Sequence, residues 1–182
     1  MNPAERIKKH FKNNLVTYLL IGLIAYIWFR PPAFVSDVNE PLPNLPFTTL
    51  DGRMGALASL RGKVVLVNFW ASWCPYCLKE MPAIEQFYKD YQARGFEVLA
   101  LSLDDDPAKA AQYVREHGYT FPVAMANAEM QRALGPVSQV PMSMVIDRDG
   151  HLRHKVRGQV HYGRLEDLVE PLLTQASAKQ GK

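Results

Sequence analysis

Apolar residues run through this chain in three rhythms. From Asn13 to Phe29 there is no charge, and Leu15 to Phe29 is apolar almost without a break, which predicts a helix with no polar face. Val64 to Trp70 is a second continuous run, rich in β-branched and aromatic residues and interrupted only by Asn68. Its length and composition predict a strand buried on both faces of a sheet. Beyond it the spacing turns helical: Ile84, Phe87, Tyr88 and Tyr91 share one face, with Pro82 expected to kink the helix. Val98 to Leu103 reads as the next central strand. Asp106-Pro107 then opens a helix to about His117, the aspartate accepting from an unpaired amide and the proline filling a position that needs no donor. Phe121 to Met125, a short helix near Glu129 to Leu134, and a strand from Met142 to Asp147 follow. Asp149-Gly150 turns that strand back into Leu152 to Val156, and Leu165, Leu168, Val169, Leu172 and Leu173 line a last helix despite Pro171. Between the first apolar run and Val64, Phe47 to Leu50 with Asp51-Gly52 predicts a first hairpin. The order predicts an α/β domain with a central mixed sheet flanked by helices, and no internal repeat is present.

At 182 residues, 48% hydrophobic and 21% charged, the chain has material for one ordinary core and an appendage. The net charge of +3 is mildly basic, but Arg6, Lys8, Lys9 and Lys12 crowd the N-terminus. No basic stripe interleaved with aromatics occurs elsewhere, so nucleic acid is not an expected partner. The basic cluster changes the meaning of the first apolar run. With positive charge on its N-terminal side only, residues 1–12 are expected in the cytoplasm, 13–30 as an uncleaved single-pass anchor in the inner (cytoplasmic) membrane, and the remainder outside, in the periplasm or its equivalent. The run is at the short end of what crosses about 30 Å of hydrocarbon, and Tyr26, Trp28 and Phe29 suit the far interface. A cleaved signal peptide is the alternative, for which Ala33-Phe34-Val35 and Phe34-Val35-Ser36 are poor cleavage sites. Pro31, Pro32, Pro41, Pro43 and Pro46 predict a semi-extended tether over 31–44. This leaves 45–176 as the domain and 177–182 as a tail.

The two cysteines of the chain are Cys74 and Cys77, placed where the buried run gives way to a helix. Two cysteines cannot form a disulfide framework, and without a companion Cys/His cluster they cannot complete a tetrahedral metal site; no metal or cofactor is expected. Unpaired amides and the helix dipole stabilise a thiolate at a helix N-terminus, which makes Cys74 the expected attacking sulfur. Cys77, one turn on, is placed to attack a mixed disulfide and close an internal one. Asp104-Asp105-Asp106 reads as a strand-to-helix turn rather than a metal site. His117, His151, His154 and His161 share no ligand spacing with the cysteines and are expected to face solvent.

Asn68-Phe-Trp-Ala-Ser-Trp-Cys-Pro-Tyr-Cys77, followed by Glu80-Met81-Pro82 and by Val140-Pro141 before a strand, resembles the thioredoxin superfamily. More narrowly, it is similar to the membrane-anchored, TlpA-like and ResA-like thiol-disulfide oxidoreductases, over roughly 42–173. The resemblance implies a thioredoxin-like fold with an inserted segment within Asp104 to Ala128. It also implies a cis Pro141 whose loop, with Val140, offers backbone hydrogen bonds to an extended substrate. Two positions depart from common patterns: Asn68 stands where many thioredoxins have a buried aspartate, and Met142 follows the proline where threonine is usual. Pro75 and Tyr76 tune thiolate stability and hence redox potential. Glu80 becomes the candidate acid serving Cys77, against the alternative of a surface glutamate on the first helical turns. Trp73 is expected as a lid contacting substrate and Tyr76 as part of an exposed recognition surface.

The function implied is disulfide reduction in client proteins outside the membrane, c-type apocytochromes among them, with a membrane thiol electron donor resetting the pair. Net disulfide formation or isomerisation is an alternative. A Cu(I)-binding module, using both thiolates with Met142 or Met144, is another.

Overall fold

The computed structural model describes residues 14–29, 34–134, 137 and 139–179, in two compact units, Met1–Pro32 and Ala33–Lys182. In the first, α1 (Leu15–Phe29) is a 15-residue helix whose side chains from Leu15 to Tyr26 are exposed on every face. Among the described residues no helix is long and apolar enough to cross a membrane. The basic N-terminus at 1–12, the two ends of the anchor at 13 and 30, the start of the tether at 31–33 and the end of the tail at 180–182 lie outside the described residues.

The second unit is built on a six-stranded sheet. Its strands are β1 (Phe34–Pro41), β4 (Val64–Trp70), β5 (Phe96–Ser102), β6 (Val123–Met125), β7 (Met142–Ile146) and β8 (His151–Arg157), in the order β1-β8-β7-β4-β5-β6. β4, β5 and β6 run parallel; β7, β8 and β1 are added antiparallel. The predicted first hairpin is present as β2 (Pro46–Thr48) and β3 (Met54–Ala56), a separate two-stranded ribbon. Among the described residues four α-helices complete the unit: α2 (Pro75–Tyr91), α3 (Pro107–His117), α4 (Ala128–Ala133) and α5 (Tyr162–Lys179).

β4 is buried at every residue because both faces of the sheet are covered. Val64, Leu66 and Trp70 pack with Met81, Ile84 and Phe87 of α2 and Leu165, Val169 and Leu172 of α5. Val65, Val67 and Phe69 point the other way, to Met142 and Met144 of β7, Met130 of α4 and Leu134. Phe87 is the hub of the first cluster, stacked on Tyr91 and edge-on to Phe96 and Tyr162 with ring centroids 4.1, 5.0 and 5.2 Å away. α3 begins as expected, with Asp106 Oδ1 accepting from Ala108 N at 2.9 Å and Pro107 in the first turn.

One expectation is overturned. The stretch 31–44 is not simply a tether, and the folded unit does not begin near Leu45, because Phe34–Pro41 pairs with β8 as the edge strand β1. The seven residues from Phe34 to Glu40 contain no proline, and Pro41 falls at the strand's end on an open edge, where a missing amide costs the ladder nothing. The same pairing alters the place of His154: its Nδ1 lies 2.7 Å from Asp37 Oδ1 on β1 instead of facing solvent alone.

Candidate active site

The site forms where β4 ends. The turn Ala71 to Trp73 is fixed from the neighbouring strand: Asp104, buried just past β5, accepts the Ser72 amide at 3.2 and 3.1 Å and the hydroxyls of Ser72 and Ser102 at 2.6 and 2.7 Å. Cys74 then takes an extended backbone conformation and caps α2, its Sγ accepting from Cys77 N at 3.2 Å. Pro75 occupies the first turn, where its missing amide leaves nothing unpaired. Cys74 and Cys77 are joined as a disulfide, their Cα atoms 5.3 Å apart. Cys77 is wholly buried and Cys74 nearly so, whereas Trp73 and Tyr76 on either side are 65% and 61% exposed. The surface beside the sulfurs is therefore aromatic.

Beneath the cysteines the polar groups form one connected cluster. Glu80, one turn beyond Cys77, is 2% exposed. Its Oε1 accepts from Asn68 Nδ2 at 2.8 Å and its Oε2 from Val160 N at 2.8 Å. Asn68 Nδ2 also donates to Ser143 Oγ at 3.0 Å. Burial pushes the Glu80 carboxyl up to about 8, and the two hydrogen bonds pull against that rise without cancelling it. The carboxyl thus changes charge close to neutrality, inside the core.

Val140-Pro141 is a cis peptide, and Pro141 O accepts from Gly158 N at 3.0 Å, tying the start of β7 to the end of β8. Val140 packs against the apolar cluster that contains both cysteines. The loop after β8 closes over the helix start: Gln159 Nε2 donates to Tyr76 O at 2.8 Å, and Arg164 Nη1 donates to Gln159 O at 2.9 Å. Met142 and Met144 belong to the cluster on the opposite face of the sheet from the cysteines. This contradicts their use as thioether ligands beside the two sulfurs, since residues two apart on a strand share a face and here that face is turned away from the cysteines.

Several members of the site were not read from the sequence. Ser143 carried a signal, as the one polar residue in the run Met142–Ile146. Gln159 and Asp104 carried none beyond being polar near element ends, and Asp104 had been absorbed into the strand-to-helix turn. Val160 contributes only a backbone amide, which no side-chain pattern encodes.

A family model described as Redoxin matches residues 37–170. The thiol-disulfide oxidoreductase ResA of Bacillus thuringiensis (strain Al Hakam) is 30% identical over 152 residues, spanning 84% of this chain and 88% of the relative. That of Oceanobacillus iheyensis is 33% identical and spans 96% of each. Among solved structures, a thiol:disulfide interchange protein of the thioredoxin family from Chlorobium tepidum TLS superposes with a TM-score of 0.70 at 31% identity, covering 76% of this chain and 99% of that one. The fold is accordingly thioredoxin-like. With a Cys-x-x-Cys pair capping α2 beside a cis-proline loop, and with these relatives, the chain belongs to the Redoxin family, as a ResA-like thiol-disulfide oxidoreductase of the thioredoxin superfamily.

Proposed function

We propose that this oxidoreductase is a membrane-tethered reductase of disulfides in client proteins outside the cytoplasmic membrane, with Cys74 as nucleophile, Cys77 as resolving thiol and Glu80 as the group that takes the resolving thiol's proton. The observation that carries the reading is a buried carboxyl, poised at about 8, one turn along the helix from a wholly buried cysteine. In the reduced protein the helix N-terminus favours the Cys74 thiolate. That thiolate attacks one client sulfur, a mixed disulfide forms, and the other client sulfur leaves as a thiolate. Cys77 passes its proton to the Glu80 carboxylate and attacks Cys74 Sγ. The internal disulfide closes and the second client sulfur departs, so the client gains two electrons and the protein loses two. A membrane thiol donor returns them. With its carboxyl at about 8, Glu80 is neutral over ionised by about ten to one at pH 7. The carboxylate that accepts the proton is the minor form there, and resolution accelerates as pH rises toward 8.

Exposed Trp73 and Tyr76 supply aromatic contact to the client, and the Val140-Pro141 loop supplies backbone groups for an extended segment. The anchor reading is supported by α1, apolar on every face, and by basic residues on its N-terminal side alone. A 15-residue helix rises about 22 Å, a mismatch that a bilayer meets by thinning and flanking side chains by snorkelling. Apocytochromes of the c type are the client class we favour. The experiment is capture in membranes: Cys77→Ser accumulates mixed disulfides with clients and Cys74→Ser does not, because only the first retains the nucleophile while lacking the thiol that releases it. No adduct from Cys77→Ser overturns the reading, and adducts without apocytochromes replace the client class.

A further inference from the structure

Asn68 and Ser143 are cross-strand partners in the antiparallel β4–β7 pair, joined to each other and to Glu80 by the amide of Asn68. That amide uses both N–H groups, one on Glu80 Oε1 and one on Ser143 Oγ, while its own Oδ1 is buried with no hydrogen-bond partner. Glu80 meets donors on both of its oxygens. This set suits a carboxylate, because both partners are donors and neither can accept the O–H of a neutral acid. A buried acid that also exists in neutral form needs an acceptor; two buried amide oxygens near the site lack a partner, Asn68 Oδ1 and Gln159 Oε1, and of these Asn68's belongs to the amide already bonded to Glu80. Half a rotation of the amide exchanges Oδ1 and Nδ2. Neutral Glu80 then donates Oε1–H to Oδ1, and the Ser143 hydroxyl, formerly an acceptor, donates to the same oxygen. Each orientation makes two hydrogen bonds; the first leaves the amide oxygen without a partner and the second leaves the two N–H groups. Bond number does not separate them, so the proton on Glu80 selects between them.

We propose that Asn68 is a positioning residue that turns over with the protonation of Glu80, giving the acid a matched partner in both charge states and carrying the change to Ser143 on β7, the strand that begins at the cis-proline loop. This deepens, and rests on, the assignment of Glu80 as the proton carrier. Charged or titratable side chains along the elements around Glu80 include Lys79 on α2, Asp104 beyond β5, and His161 and Arg164 where α5 begins, while Cys77 is held in the disulfide and does not titrate. None of them contributes to the raised position of Glu80, which comes from burial.

The test is a pH titration by NMR of the oxidised full-length chain in detergent micelles, with 15N in asparagine and 13C in glutamate carboxyls. Asn68→Ala and Glu80→Gln assign the signals. The expected result is that the Asn68 side-chain N–H protons lose their through-space contacts to the Ser143 β protons on acidification, at the midpoint of the Glu80 carboxyl signal. In a Ser143→Ala chain the two midpoints should move together. A Glu80 carboxyl that titrates while the Asn68 to Ser143 contacts persist overturns the turning amide alone. A carboxyl silent between about pH 5 and 9 overturns both it and the proton-carrier reading.

Discussion

Replacing Glu80 by glutamine removes one buried charge transition and keeps the shape. The unfolded chain ionises Glu80 near 4.5, the folded one near 8. Below 4.5 both states hold the proton and the group contributes nothing to the pH dependence. Between 4.5 and 8 the unfolded state releases it while the folded state retains it, so stability falls with rising pH; above 8 both are ionised and the loss is constant. At about 1.4 kcal/mol per unit, the full loss is on the order of 5 kcal/mol, of which about 3 has accrued by pH 7. Glutamine carries no such slope. Its amide sets an N–H against Asn68 Nδ2 where Asn68 keeps its orientation, a fixed cost of about 1–3 kcal/mol, and escapes that cost where Asn68 turns its Oδ1 to accept the N–H. Denaturant titrations of the oxidised full-length chain in micelles, from about pH 4 to pH 9, should therefore show Glu80→Gln gaining on wild type as pH rises and the more stable of the two in base, the curves crossing at about pH 5–7 with Asn68 fixed and meeting only in acid with Asn68 turned. The difference between the two proteins isolates Glu80 from every other group that titrates. A wild-type-minus-variant difference that stays constant across the range would refute the buried-acid account, whatever its size.

Competitive alkylation of reduced protein near neutral pH should label Cys74 ahead of Cys77, read by peptide mapping; the reverse order would exchange their roles. Asp104→Ala strips the Ser72 amide of its acceptor, and should lower stability by about 1–3 kcal/mol and disorder the turn before Cys74, seen as a changed Cys74 alkylation rate. Phe87→Ala, at the hub of the aromatic cluster, should cost about 3–5 kcal/mol by denaturant titration, and a cost under about 1 kcal/mol would show that the surrounding rings close the gap. A reporter active only outside the cytoplasm, fused after Lys182, should be active in a protein that alkali does not wash from membranes; a soluble product starting near Ser36 would indicate cleavage.

What was legible in the sequence was local. The continuous apolar run of β4, the Asp106-Pro107 start of α3 and the Asp149-Gly150 hairpin each declare themselves within a few residues, and each formed where expected. β1 was misread because its five neighbouring or terminal prolines dominate the composition, while its reason for being a strand is a partner more than 100 residues away in β8. The state of Glu80 was open for the same reason. On one helical turn, between exposed and buried neighbours, a glutamate can face either way; what covers it is the Gln159–Val160 loop, brought in from the far end of the chain. The cysteines were legible because their chemistry is written in side chains, whereas the amide of Val160 is not.

The turn bearing the cysteines is moored at both ends, to Asp104 through Ser72 and to Gln159 through the carbonyl of Tyr76. A redox centre suspended in this way has little slack. The sulfur–sulfur bond lies within a segment held at both ends, at Ser72 and at Tyr76. The adjustment then falls on the other molecule. On the client reading proposed above, a disulfide in a loose or unfinished chain can be laid against such a template and one buried in a finished fold cannot, so selection by how far the client has folded would precede any reading of its side chains.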